Sequence, residues 1–122
     1  MLSAEASKNI LVVEDDQSIR EAMQLYLEME GYQVQTAADG RQALDLLGNK
    51  LAPCLILLDL MMPIMDGYEF LKARKENTSI SSIPVVVVSA FLDNAIDVDA
   101  QGFVSKPIDF DVLLKYIRQY CC

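Results

Sequence analysis

A few residues of this chain stand where chemistry, rather than packing, would use them, each directly after an apolar run. Asp59 follows Cys54-Leu55-Ile56-Leu57-Leu58, and Glu14-Asp15-Asp16 follows Ile10-Leu11-Val12-Val13. Ser89 follows Val85-Val86-Val87-Val88, and Lys106 follows Gly102-Phe103-Val104-Ser105. If Glu14, Asp15 and Asp59 meet at adjacent strand ends, they raise one another's pKa unless a cation neutralises them. A hard divalent ion with oxygen ligands meets that need, and Mg2+ suits a site with few protein ligands and open positions. Lys106 adds a compact point charge on a long stem. With no histidine in the chain, zinc sites of the usual kind and histidine general-base catalysis are excluded. Each residue also has a plainer reading: the acidic triplet as a solvated helix start capped by Asp16, Lys106 as a surface lysine, Ser89 as a strand-end cap.

The elements that must position these residues are legible in the apolar pattern. A run such as Leu55-Ile56-Leu57-Leu58 is what a strand buried on both faces looks like, and such strands occur in parallel α/β sheets. Ligands of those sheets bind beyond the carboxyl ends of the strands. Strand-like segments fall near 9–14, 32–36, 54–59, 83–89 and 101–105, and helical patterns near 17–30, 39–48, 66–76 and 109–120. This alternation predicts a doubly wound α/β domain. Asp39 with Gln42 and Asp66 with Glu69 have the spacing of capping pairs. Gly31 and Gly48 are placed to end the first two helices.

In the last helix, Phe110, Leu113, Leu114, Ile117 and Tyr120 form a core stripe, and Val112 with Tyr116 forms a small second patch. Between Ser89 and Gln101 lie only about a dozen residues, near the ~10–12 minimum for a right-handed crossover including its helix. The helix of this fourth crossover, within Leu92–Asp99, is therefore one or two turns at most.

The totals bound the rest. At 122 residues the chain has the length of one domain, and the expectation is a polar tail over 1–8, a folded unit over 9–120, a cysteine pair at 121–122, and no output domain. A hydrophobic fraction of 52% excludes disorder. No apolar run approaches the ~18 residues of a membrane span, and Met1–Lys8 lacks the apolar stretch of a signal peptide. Cytoplasmic residence without a membrane partner is the expectation. Eighteen acidic against ten basic residues give a net charge of −8, which repels phosphate backbones and argues against direct nucleic-acid binding. The three cysteines suggest no disulfide framework. Cys54 reads as a small buried hydrophobe, and no role is assigned to Cys121 and Cys122.

In their order along the chain, these motifs resemble the receiver domain of response regulators, the phosphoacceptor half of two-component signalling. The resemblance covers roughly Asn9 to Tyr120. It implies a five-stranded parallel sheet in the flavodoxin-like order 2-1-3-4-5, with the helix of the fourth crossover short or absent. Asp59 is implied as the phosphoacceptor, a carboxylate nucleophile that becomes an aspartyl phosphate. By the same resemblance Asp15, Asp59 and the backbone carbonyl of Met61 bind Mg2+ directly while Glu14 acts through water, with Asp16 a competitor for one of these roles. Mg2+, Lys106, and the Ser89 hydroxyl with the Ala90 amide would each cover one oxygen of the transferred group.

The resemblance also makes Lys106-Pro107 a cis bond, although only ~5–6% of X–Pro bonds are cis. Ser89 and Phe103 are the implied switch, Ser89 moving to the phosphoryl group and Phe103 rotating into the space. Met61 and Phe91, both bulky and apolar, would flank that group and slow self-dephosphorylation. A stand-alone receiver of this kind takes its phosphoryl group from a histidine kinase or histidine phosphotransfer protein and signals to an unknown downstream protein. Similar receivers usually carry a fuller helix in the fourth crossover, on the face that reports phosphorylation.

Two other readings compete. Phosphatases of the haloacid dehalogenase type also use a strand-end Asp and Mg2+, but they place a general acid two residues after the nucleophile. Here that position is Met61, which cannot transfer a proton. A binding module that is never phosphorylated is the other, and the intact acidic, Asp59, Ser89 and Lys106 set argues against it.

Overall fold

The computed structural model describes residues 8–49, 51–90 and 99–121. Five parallel strands, β1 (Asn9–Val13), β2 (Gln33–Ala37), β3 (Leu55–Leu58), β4 (Val85–Ser89) and β5 (Gly102–Ser105), form one sheet in the order β2-β1-β3-β4-β5. Four helices are present among the described residues: α1 (Gln17–Met29), α2 (Gly40–Gly48), α3 (Gly67–Glu76) and α4 (Phe110–Tyr120). The expected helix within Leu92–Asp99 lies almost wholly outside the described residues. Among those described, no helix is long and apolar enough to cross a membrane.

The sheet is central because its inner strands have no polar face. Every residue of β3 and β4 is buried, and so are Ile10 to Val13 of β1. Successive side chains of a strand point to opposite faces. Ile10, Val12, Leu55 and Leu57 accordingly pack with Met23 and Leu27 of α1 and Leu113, Leu114 and Ile117 of α4. Leu11, Val13, Ile56 and Leu58 pack on the other face with Ala43 and Leu47 of α2 and Phe70 and Leu71 of α3. Edge strand β2 is buried only at Val34 and Ala37, one on each face of the sheet.

Helix starts follow the aspartates. Asp16, Asp39, Asp66 and Asp109 cap α1 to α4, each side chain accepting from a backbone N–H one turn in. Asp66 and Glu69 form a full capping box. The Asp39–Gln42 pair makes half of one, because the Gln42 amide oxygen accepts from the Ala38 N–H at 2.9 Å. Gly31 ends α1 with φ +97°, the left-handed conformation that glycine adopts freely. Gly48 does not end α2 in that way; it is the last helical residue and Asn49 follows as the cap.

Two further expectations need correction. Tyr116 does not form an exposed patch with Val112: its ring lies over Gly102 of β5, where a Cβ would overlap it, and Val112 alone stays exposed. The cysteines do form a disulfide, Cys54 to Cys121, with Cα atoms 5.4 Å apart across a sequence separation of 67. It joins the entry of β3 to the end of α4, and closing a loop of that length stabilises by about 4 kcal/mol in the chain-entropy picture. Spacing along the chain carries no information about such a pair, which is made adjacent only by the order of the sheet.

Candidate functional site

Asp59 stands one residue beyond β3, 6% exposed, its N–H bonded to the Val13 carbonyl at 3.0 Å. That bond aligns the ends of β1 and β3. Glu14, one residue beyond β1 and 2% exposed, is fixed in turn by its N–H to the Ala37 carbonyl at 3.0 Å. Carboxylate oxygens of Glu14, Asp15 and Asp59 come within 4.8 Å of one another. Asp16 leaves this group, because its side chain accepts from the Ile19 N–H at 3.0 Å as the cap of α1.

Lys106 reaches in from the far side of the sheet. Its Nζ lies 2.6 Å from Glu14 Oε1 and 3.3 Å from Asp59 Oδ2. Its N–H donates to the Ser89 carbonyl at 3.1 Å, continuing the β4–β5 pairing, and the Lys106–Pro107 bond is cis. Burial alone would lower the pKa of this ammonium, but the hydrogen bond it donates to Glu14 and the nearby Asp59 charge outweigh it and hold the value above the ordinary one. Burial pushes Glu14 the other way, above the usual carboxylate range, against the hydrogen bonds from Lys106 and the Asp16 N–H. Lys106 thus meets a cluster of three carboxylates whose oxygen donors fit a hard divalent ion.

The loop after Asp59 is held tightly. The Met61 N–H donates to Asp59 Oδ1 at 3.3 Å, and Gly67 N–H to the Leu60 carbonyl at 3.0 Å. A Cβ on Gly67 would lie 2.6 Å from the Asp59 carbonyl oxygen and 2.7 Å from Leu60 Cα. Ile64, 82% exposed, sits at φ +68°, a conformation unfavourable for a β-branched residue. Met61 is 54% exposed.

Ser89 is fully buried at the end of β4, and Ala90 beyond it is exposed. Phe103 is half-buried against the α2/α3 face of the core. Phe91 lies outside the described residues. Sequence reasoning overlooked Arg20, whose Nη1 donates to the carbonyls of Glu14 at 2.8 Å and Asp15 at 3.2 Å and clamps the acidic loop. A cation so near a helix N-terminus opposes the helix dipole, and that oddity was the available signal. An apolar cleft of about 290 Å³ adjoins the site, lined by Ser18, Ile19 and Ala22 of α1 and by Lys106, Pro107, Ile108 and Phe110. Leu25 and Met29, further along α1, are exposed apolar residues.

Comparison with known proteins agrees with this arrangement. The family model of the response regulator receiver domain matches residues 10–118. The chain is 36% identical over 116 residues to the response regulator Rre1 of Synechocystis sp., covering 90% of this chain and 50% of that protein. An uncharacterized 14.6 kDa protein of Leptolyngbya boryana is 32% identical over 121 residues, with 95% of this chain and 92% of that protein covered. Among solved structures, the signal receiver domain of a signal transduction histidine kinase from Syntrophus aciditrophicus superposes with a TM-score of 0.86 at 29% identity, covering 93% of this chain and 89% of that one. The chain spans about half the length of the first curated relatives it matches. It belongs to the response regulator receiver domain family.

Proposed function

We propose that this chain is a phosphorelay response regulator of the cytoplasm. Asp59 accepts a phosphoryl group from a histidine kinase or histidine phosphotransfer protein in a Mg2+-dependent reaction, and the modified chain signals to a downstream protein. The observation that carries this reading is the convergence of Glu14, Asp15 and Asp59 within 4.8 Å, with Lys106 bonded to two of them. Receiver domains are regulatory phosphoacceptors rather than enzymes acting on a separate substrate, and the reaction here is the chain's own modification.

An Asp59 carboxylate oxygen attacks phosphorus in line while the donor's bond to phosphorus breaks, leaving an acyl phosphate on Asp59. Rigid positioning is the main requirement, and the Asp59 N–H bond to Val13 together with the Met61 N–H bond to Oδ1 supports it. Glu14, Asp15, Asp59 and the Met61 carbonyl would hold Mg2+, which when bound neutralises the carboxylates and one phosphoryl oxygen. Lys106 takes a second oxygen. The Ser89 hydroxyl and the Ala90 amide take the third, and that displacement of Ser89 opens space for Phe103. The cis Lys106–Pro107 bond aims the lysine inward. The phosphodonor docks over the apolar cleft between α1 and the Lys106–Pro107 loop, which opens beside the acceptor. With its net charge of −8 the chain makes no direct contact with nucleic acid, so output passes through a protein partner.

Intact mass after incubation with Mg2+ and acetyl phosphate tests the proposal. A gain of one phosphoryl group, lost in Asp59→Asn and in EDTA, is expected. No gain, with beryllofluoride binding also absent, would place the chain among binding modules that work without phosphorylation.

A further inference from the structure

The helix that begins just after Lys106 is tied down covalently at its other end. Cys121 follows the last turn of α4, with its N–H on the Ile117 carbonyl at 2.7 Å and its sulfur bonded to Cys54 at the entry of β3. The third cysteine of the chain, Cys122, is the neighbour of Cys121 in sequence. Where glutathione and thioredoxin keep thiols reduced, disulfides are rare, and those that form are transient, catalytic or redox-sensing. The two sulfurs are also unequally placed. Cys121 is 2% exposed within the α1/α4 core, whereas Cys54 is only partly buried and offers the approachable half of the bond.

We infer that Cys54–Cys121 is a thiol–disulfide exchange site, opened by a protein dithiol reductant and closed again by a protein disulfide; the inference rests on the cytoplasmic phosphoacceptor reading above. A reductant thiolate attacks Cys54 Sγ, forming a mixed disulfide and breaking the bond to Cys121, which leaves as a thiolate and takes a proton. The reductant's second thiol then attacks the mixed disulfide, releases Cys54 as a thiol and closes the reductant's own disulfide. Two electrons and two protons have passed to the chain.

The pair is built to survive both states. Cys54 keeps its N–H bond to the Asn9 carbonyl at 2.8 Å, and Cys121 its bond to Ile117, neither of which involves sulfur. Both reduced side chains are small hydrophobes suited to the surrounding core. What changes is the hold on α4: oxidised, its last turn is anchored covalently to the entry of β3; reduced, it is held by packing, through Leu113, Leu114, Ile117 and Tyr116 among others. The other end of that helix is capped by Asp109, three residues after Lys106.

The test is a redox titration of the full chain under native conditions, using mixtures of reduced and oxidised dithiothreitol and then a reduced thioredoxin-type protein. After each native equilibration the samples are acid-quenched, then unfolded and labelled with N-ethylmaleimide so that buried thiols are counted, and mapped by peptide mass. The expected result is a reversible gain of two labels, at Cys54 and Cys121, unaltered in Cys122→Ser and accompanied by a lower unfolding midpoint in the reduced form. A pair that is reduced only when urea unfolds the chain during the equilibration is a permanent staple and overturns the inference. A pair that stays reduced in oxidised dithiothreitol overturns it as well. Acetyl phosphate labelling of Asp59 in the same preparations separates the two readings. Loss of that labelling with the titration intact removes the phosphoacceptor function alone, and the converse removes the exchange site alone.

Discussion

Replacing Gly67 by alanine tests whether the close approach of α3 to the end of β3 sets the geometry of Asp59. The added Cβ would lie 2.6 Å from the Asp59 carbonyl oxygen and 2.7 Å from Leu60 Cα, where 3.4–4 Å is ordinary contact. Both atoms are backbone and cannot rotate away, so α3 or the 59–66 loop must shift by several tenths of an ångström. Overpacking of this kind costs about 1–3 kcal/mol, against a gain of roughly 0.5–1 kcal/mol from placing alanine rather than glycine in a helix. The net expectation is a loss of about 1–2 kcal/mol.

The same shift displaces Asp59, and a misplacement of ~1 Å is worth as much as ~10²-fold in rate; a several-fold to tenfold slower phosphorylation by acetyl phosphate follows. Gly48→Ala is the matched control: it is also helical, nothing lies within 4 Å of its added Cβ, and its φ is outside the left-handed range. That change should stabilise by about 0.5–1 kcal/mol and leave phosphorylation untouched. Urea unfolding reads the stabilities as opposite movements of the midpoint at constant m. If both substitutions move the midpoint the same way, or Gly67→Ala phosphorylates at the parent rate, the reasoning is refuted.

Three further outcomes are expected. Ile64→Asn should stabilise by about 0.5–1 kcal/mol in urea, since asparagine tolerates the left-handed conformation and the 82% exposed isoleucine side chain buries little; a loss would show that Ile64 packs usefully. Glu14 has its folded pKa raised above 4.5 in metal-free protein, by burial first. Its contribution to stability is therefore complete below the unfolded value and lost as pH rises through the folded one. As pH rises from below the ordinary glutamate value through the raised folded one, unfolding free energy in EDTA should fall for the parent relative to Glu14→Gln, and parallel curves would contradict the assignment. Met61→Asn, which replaces an apolar flank by one able to hold water, should shorten the lifetime of the Asp59 phosphate several-fold in a phosphate-release assay; an unchanged half-life removes Met61 from that role.

What local rules govern was readable from the sequence alone. Unbroken apolar runs such as Val85-Val86-Val87-Val88 marked inner parallel strands, because only a strand covered on both faces dispenses with polar alternation. Aspartates three residues ahead of their N–H partners marked the helix starts. Asp59, Glu14, Asp15, Ser89 and Lys106 were visible as polar residues just after, or closing, those runs, and the sheet order then had only to bring the strand ends together.

The tertiary structure decided what depends on partners distant in the chain. Spacing gave no sign that Cys54 would meet Cys121, since their proximity comes from α4 packing on the same core as Leu55 and Leu57 of β3. Tyr116 looked like half of a surface patch until Gly102 was found beneath its ring. Arg74 reads as an ordinary charge in the last turn of α3, yet it is 2% exposed and its Nε and Nη2 both donate to the Ile83 carbonyl, at 3.0 and 2.8 Å. Capping and periodicity act within a few residues and leave their mark on composition. Pairing of sulfurs, seating of a ring on a glycine and burial of a guanidinium are settled between elements that the sequence lists far apart.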